Sequence, residues 1–207
     1  MKKITVLVSG SGTNLNAIIE GIKTKKIRNG KVSLVISSNK DAYALKIAEQ
    51  NKIKTMVIEK KTFNSREEYN KKMLLELEKE DPNLIVLAGF LQIVSEEIVN
   101  RFKNKIINIH PSLIPSFCGN GVYGLKVHKA VLEKGVKITG ATVHFVNEIA
   151  DDGPIIIQKS VKVKQTDTPE ILQQRVKKEV EWKIMVKAVN LICCNKITIK
   201  NKKTYIS

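Results

Sequence analysis

An open, largely parallel α/β sheet with helices on both faces is the fold this sequence predicts. Three observations carry the prediction. Short apolar runs alternate with helical patterns over the first two thirds of the chain. A glycine-rich string, Ser9-Gly10-Ser11-Gly12-Thr13-Asn14, separates the first run from the first helix. From Thr139 the rhythm changes to two consecutive strand-like runs with no helix between them. Strands alternating with helices of about 10–15 residues require right-handed crossovers and parallel pairing, whereas strands joined directly pair antiparallel.

Taken in order, Ile4–Val8 reads as the first strand and precedes the helical pattern SGSGTNLNAIIEGI. Val32–Ile36 precedes DAYALKIAEQN, and Lys54–Ile58 precedes SREEYNKKMLLELEKE. Leu84–Ala88 is uninterruptedly apolar, as a strand covered on both faces should be, and leads to SEEIVNRF. Lys105–Ile109 leads through a long loop to GLKVHKAVLEKG. Thr139–Val146 and Pro154–Val163 are the two runs that add antiparallel strands. A long helix then begins at Thr168, with Pro169 at its first position and Glu170 in its first turn. Its stripe is Leu172, Val176, Val180 and Ile184. The tail ITIKNKKTYIS reads as a hairpin around Asn201. No internal repeat, low-complexity segment or linker interrupts the chain, so residues 1–207 are expected to form one domain.

The 207 residues, 43% hydrophobic and 27% charged, suit a globular protein with a sizeable core. No apolar run approaches the ~20 residues that span a bilayer. The start, MKKITVLVSGSG, has the basic-apolar-small order of a signal peptide. Its apolar centre, Ile4–Val8, falls short of the ~7–15 residues a signal needs, and read as a strand it leaves the protein in the cytoplasm. Cys118, Cys193 and Cys194 fit neither a disulfide framework nor a zinc spacing, and no ligand cluster for a metal stands out. The net charge of +16 is almost all lysine, with arginine only at Arg28, Arg66, Arg101 and Arg175. Readers of base edges favour arginine, and aromatics at 5% supply no stacking platform. Nucleic acid is therefore not the expected partner, although a basic surface attracts small anionic substrates.

The Ser9–Asn14 string allows close backbone approach to an anion at a helix start. It is neither a P-loop nor a full GxGxxG, and the second strand ends in Ser37-Ser38-Asn39 without the acidic residue of a dinucleotide site. It argues for a phosphate and against NAD or ATP; the alternative is a tight turn with Thr13 or Asn14 capping the helix. Asn108 and His110 stand at alternate positions where a strand ends, so they share a face. The amide and a protonated imidazole can both donate to developing negative charge. A carboxylate near His110, such as Asp151, would raise its pKa and orient it. Ser112 caps a turn as readily as it attacks, so the set suits an acyl transfer in which the substrate brings the nucleophile. A histidine at a strand end is equally compatible with a purely structural hydrogen bond.

NIHPSLIPSF, with VLAGFLQIVS upstream and TGATVHFVNEIADDGPIIIQ downstream, resembles the folate-dependent formyltransferases. The SGSGTNL loop places the resemblance in the branch that acts on glycinamide ribonucleotide in purine synthesis. It runs from the first strand to about Ala188. The resemblance implies a Rossmann-like formyltransferase fold, a largely parallel twisted sheet with helices on both faces and an antiparallel C-terminal addition. Its N-terminal half would bind phosphate and its C-terminal half folate. It implies two small-molecule substrates, 10-formyltetrahydrofolate and glycinamide ribonucleotide, no metal, no membrane, and a monomer or homodimer. Gly12, Thr13 and Asn14 would hold the substrate phosphate, and Glu181 the glycinamide end. Arg66, Leu91, Gln92, Ile93, Val94 and Asn108 would serve the folate, with residues 147–151 forming a loop over the pterin. Asn108, His110 and Asp151 would carry the chemistry, and Phe117–Leu125 would form a mobile lid.

Bland readings stand beside these. Arg66 is an ordinary surface residue, Leu91, Ile93 and Val94 are plain core, and Asp152 is the rival of Asp151. His144 is structural or supporting, and His128 is surface or packing. The family has a proline after Trp-Lys-Ile where this chain has Met185, a departure that bears on the placement of Glu181. Methionyl-tRNA formyltransferases share the Asn-His-Asp set but carry a further C-terminal domain, and formyltetrahydrofolate hydrolases carry a further N-terminal one. Two other classes remain beside this reading: a formyl-group enzyme of the same fold acting on a sugar nucleotide or aminoacyl-tRNA, and a nucleic-acid-binding module.

Overall fold

The structure, a computed structural model, describes residues 1–119 and 121–207. Its strands are β1 (Lys2–Val8), β2 (Gly30–Ser37), β3 (Lys54–Val57), β4 (Leu84–Leu87), β5 (Ile106–His110), β6 (Ile138–Phe145) and β7 (Ile155–Lys162). They form one sheet in the order β3-β2-β1-β4-β5-β6-β7. The first five pair in parallel, and β6 and β7 add antiparallel at the β5 edge. The expected change of rhythm after Thr139 is thus a change from crossover to direct connection.

The helices are α1 (Thr13–Lys23), α2 (Tyr43–Gln50), α3 (Arg66–Glu80), α4 (Glu96–Arg101), α5 (Leu125–Lys134), α6 (Pro169–Val176) and α7 (Trp182–Cys193). Alternation along β1 explains the two layers they form. Ile4, Val6 and Val8 face a core shared with Leu15, Ile18, Ala188 and Val189 of α1 and α7. Leu7 faces the opposite core, with Tyr69 and Met73 of α3, Ile98 of α4 and Phe102 just after α4. Each fully buried aliphatic side chain of this kind contributes about 1.5–3 kcal/mol. Ser65, Ser95 and Thr168 cap α3, α4 and α6 by accepting from the amides of Glu68, Ile98 and Ile171.

The last long helix departs from expectation. A π-turn, Lys177–Glu181, separates α6 from α7. The stripe explains it: residues four apart in an α-helix drift roughly 40° per step, because the repeat is ~3.6 residues. The wider turn takes that drift back, so Leu172, Val176, Val180 and Ile184 all stay buried. The helix runs on through buried Met185, which follows Trp182-Lys183-Ile184. The tail forms the expected hairpin, β8 (Ile197–Lys200) and β9 (Lys203–Ile206), a separate sheet. Asn201 and Lys202 turn it with φ of 49° and 60°, as a two-residue hairpin loop requires. Among the described residues, no helix is long and apolar enough to cross a membrane.

The strand order reverses at β1. The crossover from β1 leads to β2 on one side, while β4 flanks it on the other. Ligand crevices of open α/β sheets form at such a point, beyond the carboxyl ends of the strands.

Candidate active site

A cavity of about 460 Å³ lies there, lined by the loop after β1, the segment after β4, the end of β5 and the start of the loop between β6 and β7. At one end, Gly12 precedes α1 with φ 71°, and no side chain caps the helix. The capping alternative for Thr13 and Asn14 is therefore not what the structure shows. Asn14 instead turns its amide to Glu181 Oε2, donating at 3.1 Å. Glycine is required at position 12 for two reasons, its left-handed backbone and its packing: a Cβ there would stand 2.7 Å from Cα and Cβ of Ala44. First-turn amides at an uncapped helix start suit an anion.

The π-turn brings two more groups to this end. Glu181 is buried on the cavity wall; burial pushes its carboxyl up, with the Asn14 amide and Lys177 acting in the opposite direction. Lys177 lines the same wall and donates to Gln173 Oε1 at 3.2 Å. Neither Lys177 nor Gln173 was singled out by its sequence context, because each reads as one more polar residue on a lysine-rich helix.

Asn108, His110 and Asp151 converge at the middle of the cavity. His110 is buried, with Nε2 2.9 Å from the carbonyl oxygen of Phe117 and Nδ1 3.5 Å from Asp151 Oδ2. Both neighbours are acceptors, so a proton on either ring nitrogen meets an oxygen. Asn108 donates to Asp151 Oδ1 at 3.4 Å. Burial pushes the Asp151 carboxyl up, but His144, the Gly119 amide and the charge of His110 together outweigh it and hold the group below its ordinary value. Asp152 is exposed and accepts from Asn147 at 3.0 Å instead, which favours Asp151 in the pair.

His144 belongs to this group as well. Register explains why: β5 and β6 pair Asn108 with His144 directly. Its Nδ1 lies 2.8 Å from the Phe145 carbonyl, which requires a proton there, and Nε2 lies 3.2 Å from Asn108 Nδ2 and 3.6 Å from Asp151 Oδ1. Strand alternation gave the sign, but the partner strand was needed to read it. The loop after β5 closes over the trio, since Gly119 N donates to Asp151 Oδ2 at 3.0 Å while Phe117 engages His110. Asn120 of the expected lid lies outside the described residues.

Among the described residues, no side chain here is poised as a nucleophile. Ser112 is buried and donates to the Ser116 carbonyl at 2.6 Å. Burial and the charge of Asp151 push the Cys118 thiol up.

Leu91, Gln92, Ile93 and Val94 also line the cavity, as do residues 147–151. Leu91 and Ile93 are 58% and 64% exposed, which rules out the plain-core reading of both. Ser9 Oγ accepts from the Leu91 amide at 2.9 Å, tying this segment to the end of β1. Arg66 is exposed at the first turn of α3 and is not among the residues that line the cavity. His128 is not a surface residue: it is fully buried and lines the cavity from α5.

An amide, an imidazole and a carboxylate thus converge in one cavity at the switch point of an open α/β sheet. The chain belongs to the formyl transferase family, whose model matches residues 2–189. It is 41% identical over 197 residues to the chloroplastic phosphoribosylglycinamide formyltransferase of Arabidopsis thaliana, covering 95% of this chain and 67% of that one. It is 40% identical over 173 residues to the phosphoribosylglycinamide formyltransferase of Escherichia coli, covering 84% and 79%. The crystal structure of glycinamide ribonucleotide transformylase 1 from Symbiobacterium toebii superposes with a TM-score of 0.92 at 37% identity, covering 100% of this chain and 94% of that one.

Proposed function

We propose that this protein transfers the formyl group of 10-formyltetrahydrofolate to the amine of glycinamide ribonucleotide, a step of purine synthesis. The observation that carries the reading is the meeting of Asn108, His110 and Asp151 in one cavity. Its lining is mixed as the two substrates are: first-turn amides and Lys177 suit a phosphate, and apolar Leu91, Ile93 and Val94 suit a ring.

In this reading the ribonucleotide phosphate lies on the amides of Gly12, Thr13 and Asn14, with Lys177 as counter-charge. Glu181 faces the glycinamide amine, and the pterin lies between Leu91–Val94 and residues 147–151. The amine attacks the formyl carbon, forming the new C–N bond and a tetrahedral oxyanion. The amide of Asn108 and an N–H of His110 donate to that oxyanion; one such donor contributes about 10²–10³ in rate. Asp151 stabilises the imidazolium and helps pass the amine proton to N10 as the old C–N bond breaks. Holding both substrates in one cavity supplies further acceleration. The Phe117 carbonyl must release His110 before Nε2 can donate to substrate, which makes the loop after β5 part of the cycle.

The test is a spectrophotometric assay with 10-formyl-5,8-dideazafolate and glycinamide ribonucleotide beside a control without acceptor. Turnover that needs the ribonucleotide is the expected result. Formate release without it would identify a hydrolase and overturn the reading.

A further inference from the structure

The chain has three histidines, and all three line the cavity. Two have work for both ring nitrogens. His110 meets Phe117 and Asp151, and His144 meets Phe145 and Asn108. His128 is different. It is 0% exposed, and neither Nδ1 nor Nε2 has a hydrogen-bond partner among the described residues. A buried polar atom left unanswered costs its full desolvation, so a position serving only to pack α5 would be filled more favourably by leucine. The ring is also held neutral: burial, with Lys177 and His110 nearby, brings its pKa down to about 4.

A neutral imidazole offers one donor and one acceptor, which limits what it can complement. A phosphate offers acceptors only, and the uncapped start of α1 and Lys177 already suit it. The pterin segment, Leu91–Val94, follows β4, whereas His128 stands with Gln173 and Lys177 on a wall built where α5 packs on α6. Gln173 Oε1 is engaged by Lys177, so its amide N–H groups are what it offers on that wall. A hydroxyl both donates and accepts, and a ribose presents two on one edge. We propose that His128 is a specificity-determining residue that reads a ribose hydroxyl of the acceptor ribonucleotide. The assignment rests on the acceptor proposed above.

The test compares wild type, His128→Leu and His128→Gln with glycinamide ribonucleotide and with its 2′-deoxy and 3′-deoxy analogues, alongside melts of the free enzyme. His128→Leu removes two unanswered polar atoms, so the free protein should melt about 2–4 °C higher. Its KM for the ribonucleotide should nevertheless rise about five- to tenfold, with kcat and the folate KM changed less than twofold. His128→Gln, which keeps a donor and an acceptor, should recover part of the loss. One deoxy analogue should cost wild type a similar factor and cost His128→Leu nothing further, since the lost partners are the same pair. An unchanged ribonucleotide KM in both variants overturns the proposal, as does a deoxy penalty that persists in full in His128→Leu. Wild-type turnover that fails with the ribonucleotide but proceeds with another acceptor overturns the acceptor's identity instead, so the two failures are distinct.

Discussion

Asp151 joins more of the site than any residue beside it: its two oxygens face Asn108 and His144 on one side and His110 and the Gly119 amide on the other. It does so from a left-handed backbone, φ 57°, which asparagine tolerates better than other residues. Asp151→Asn is therefore close to a pure removal of charge. We expect kcat to fall about 10²–10⁴-fold, the range of a lost acid–base partner, with folate binding retained by fluorescence titration. Exposed Asp152, mutated to Asn, should leave turnover within twofold. Wild-type-like turnover in Asp151→Asn would remove the carboxylate from the mechanism. Asn108 and His110 were legible beforehand because two positions on one strand share a face. His144 and His128 were less so: one depends on cross-strand register, and the other sits on a helix whose sequence does not show which side is covered.

The loops and turns at the carboxyl ends of the strands place these groups, and their legibility follows from how local each signal is. The glycine string after β1 was visible because close approach and positive φ are properties of glycine itself. The π-turn was not recognised, although the four-residue stripe from Leu172 to Ile184 carried its trace, and it is this turn that brings Lys177 and Glu181 to the cavity. Such turns are frequent at functional sites. The bond between Asn14 and Glu181 joins residues 167 apart, a closure no local pattern announces. Gly12 tests the loop directly. Gly12→Ala places a methyl 2.7 Å from Ala44 at a φ unfavourable to alanine, so stability should fall by about 1–3 kcal/mol. Because α1 must shift, the KM for the ribonucleotide should rise at least tenfold while the folate KM stays within a few-fold. Equal rises in both constants would show that the loop serves the cavity as a whole and not its phosphate end.

Charge gives the molecule its global character, and the buried titratable groups set how it answers pH. The +16 net charge is spread over exposed lysines. The lysine ends of their ion pairs are solvent-exposed, and a pair exposed at both ends, such as Lys23–Glu20, contributes little. The buried groups act more strongly and in opposing directions. Burial raises the Glu181 carboxyl, so its contribution is present in acid and is lost as pH rises. Asp151, held low, contributes stability above its unfolded value that is lost as pH falls. His128 adds to the acid side: its pKa is about 4 in the folded chain, with Lys177 and His110 facing it, against an ordinary 6.5. Between those values the unfolded chain binds the proton and the folded chain does not, so acid favours unfolding. Full titration amounts to ~3 kcal/mol, at 1.36 kcal/mol per pKa unit. The loss should begin near pH 6.5, where carboxylates are still ionised, and be complete near pH 4. Urea unfolding of wild type and His128→Leu from pH 7.5 to 4 isolates the histidine. The stability difference between the two proteins should widen by about 3 kcal/mol in the variant's favour as pH falls. Parallel curves would mean that the ring takes its proton in the folded state as easily as in the unfolded one, which a fully buried imidazole beside Lys177 should not do.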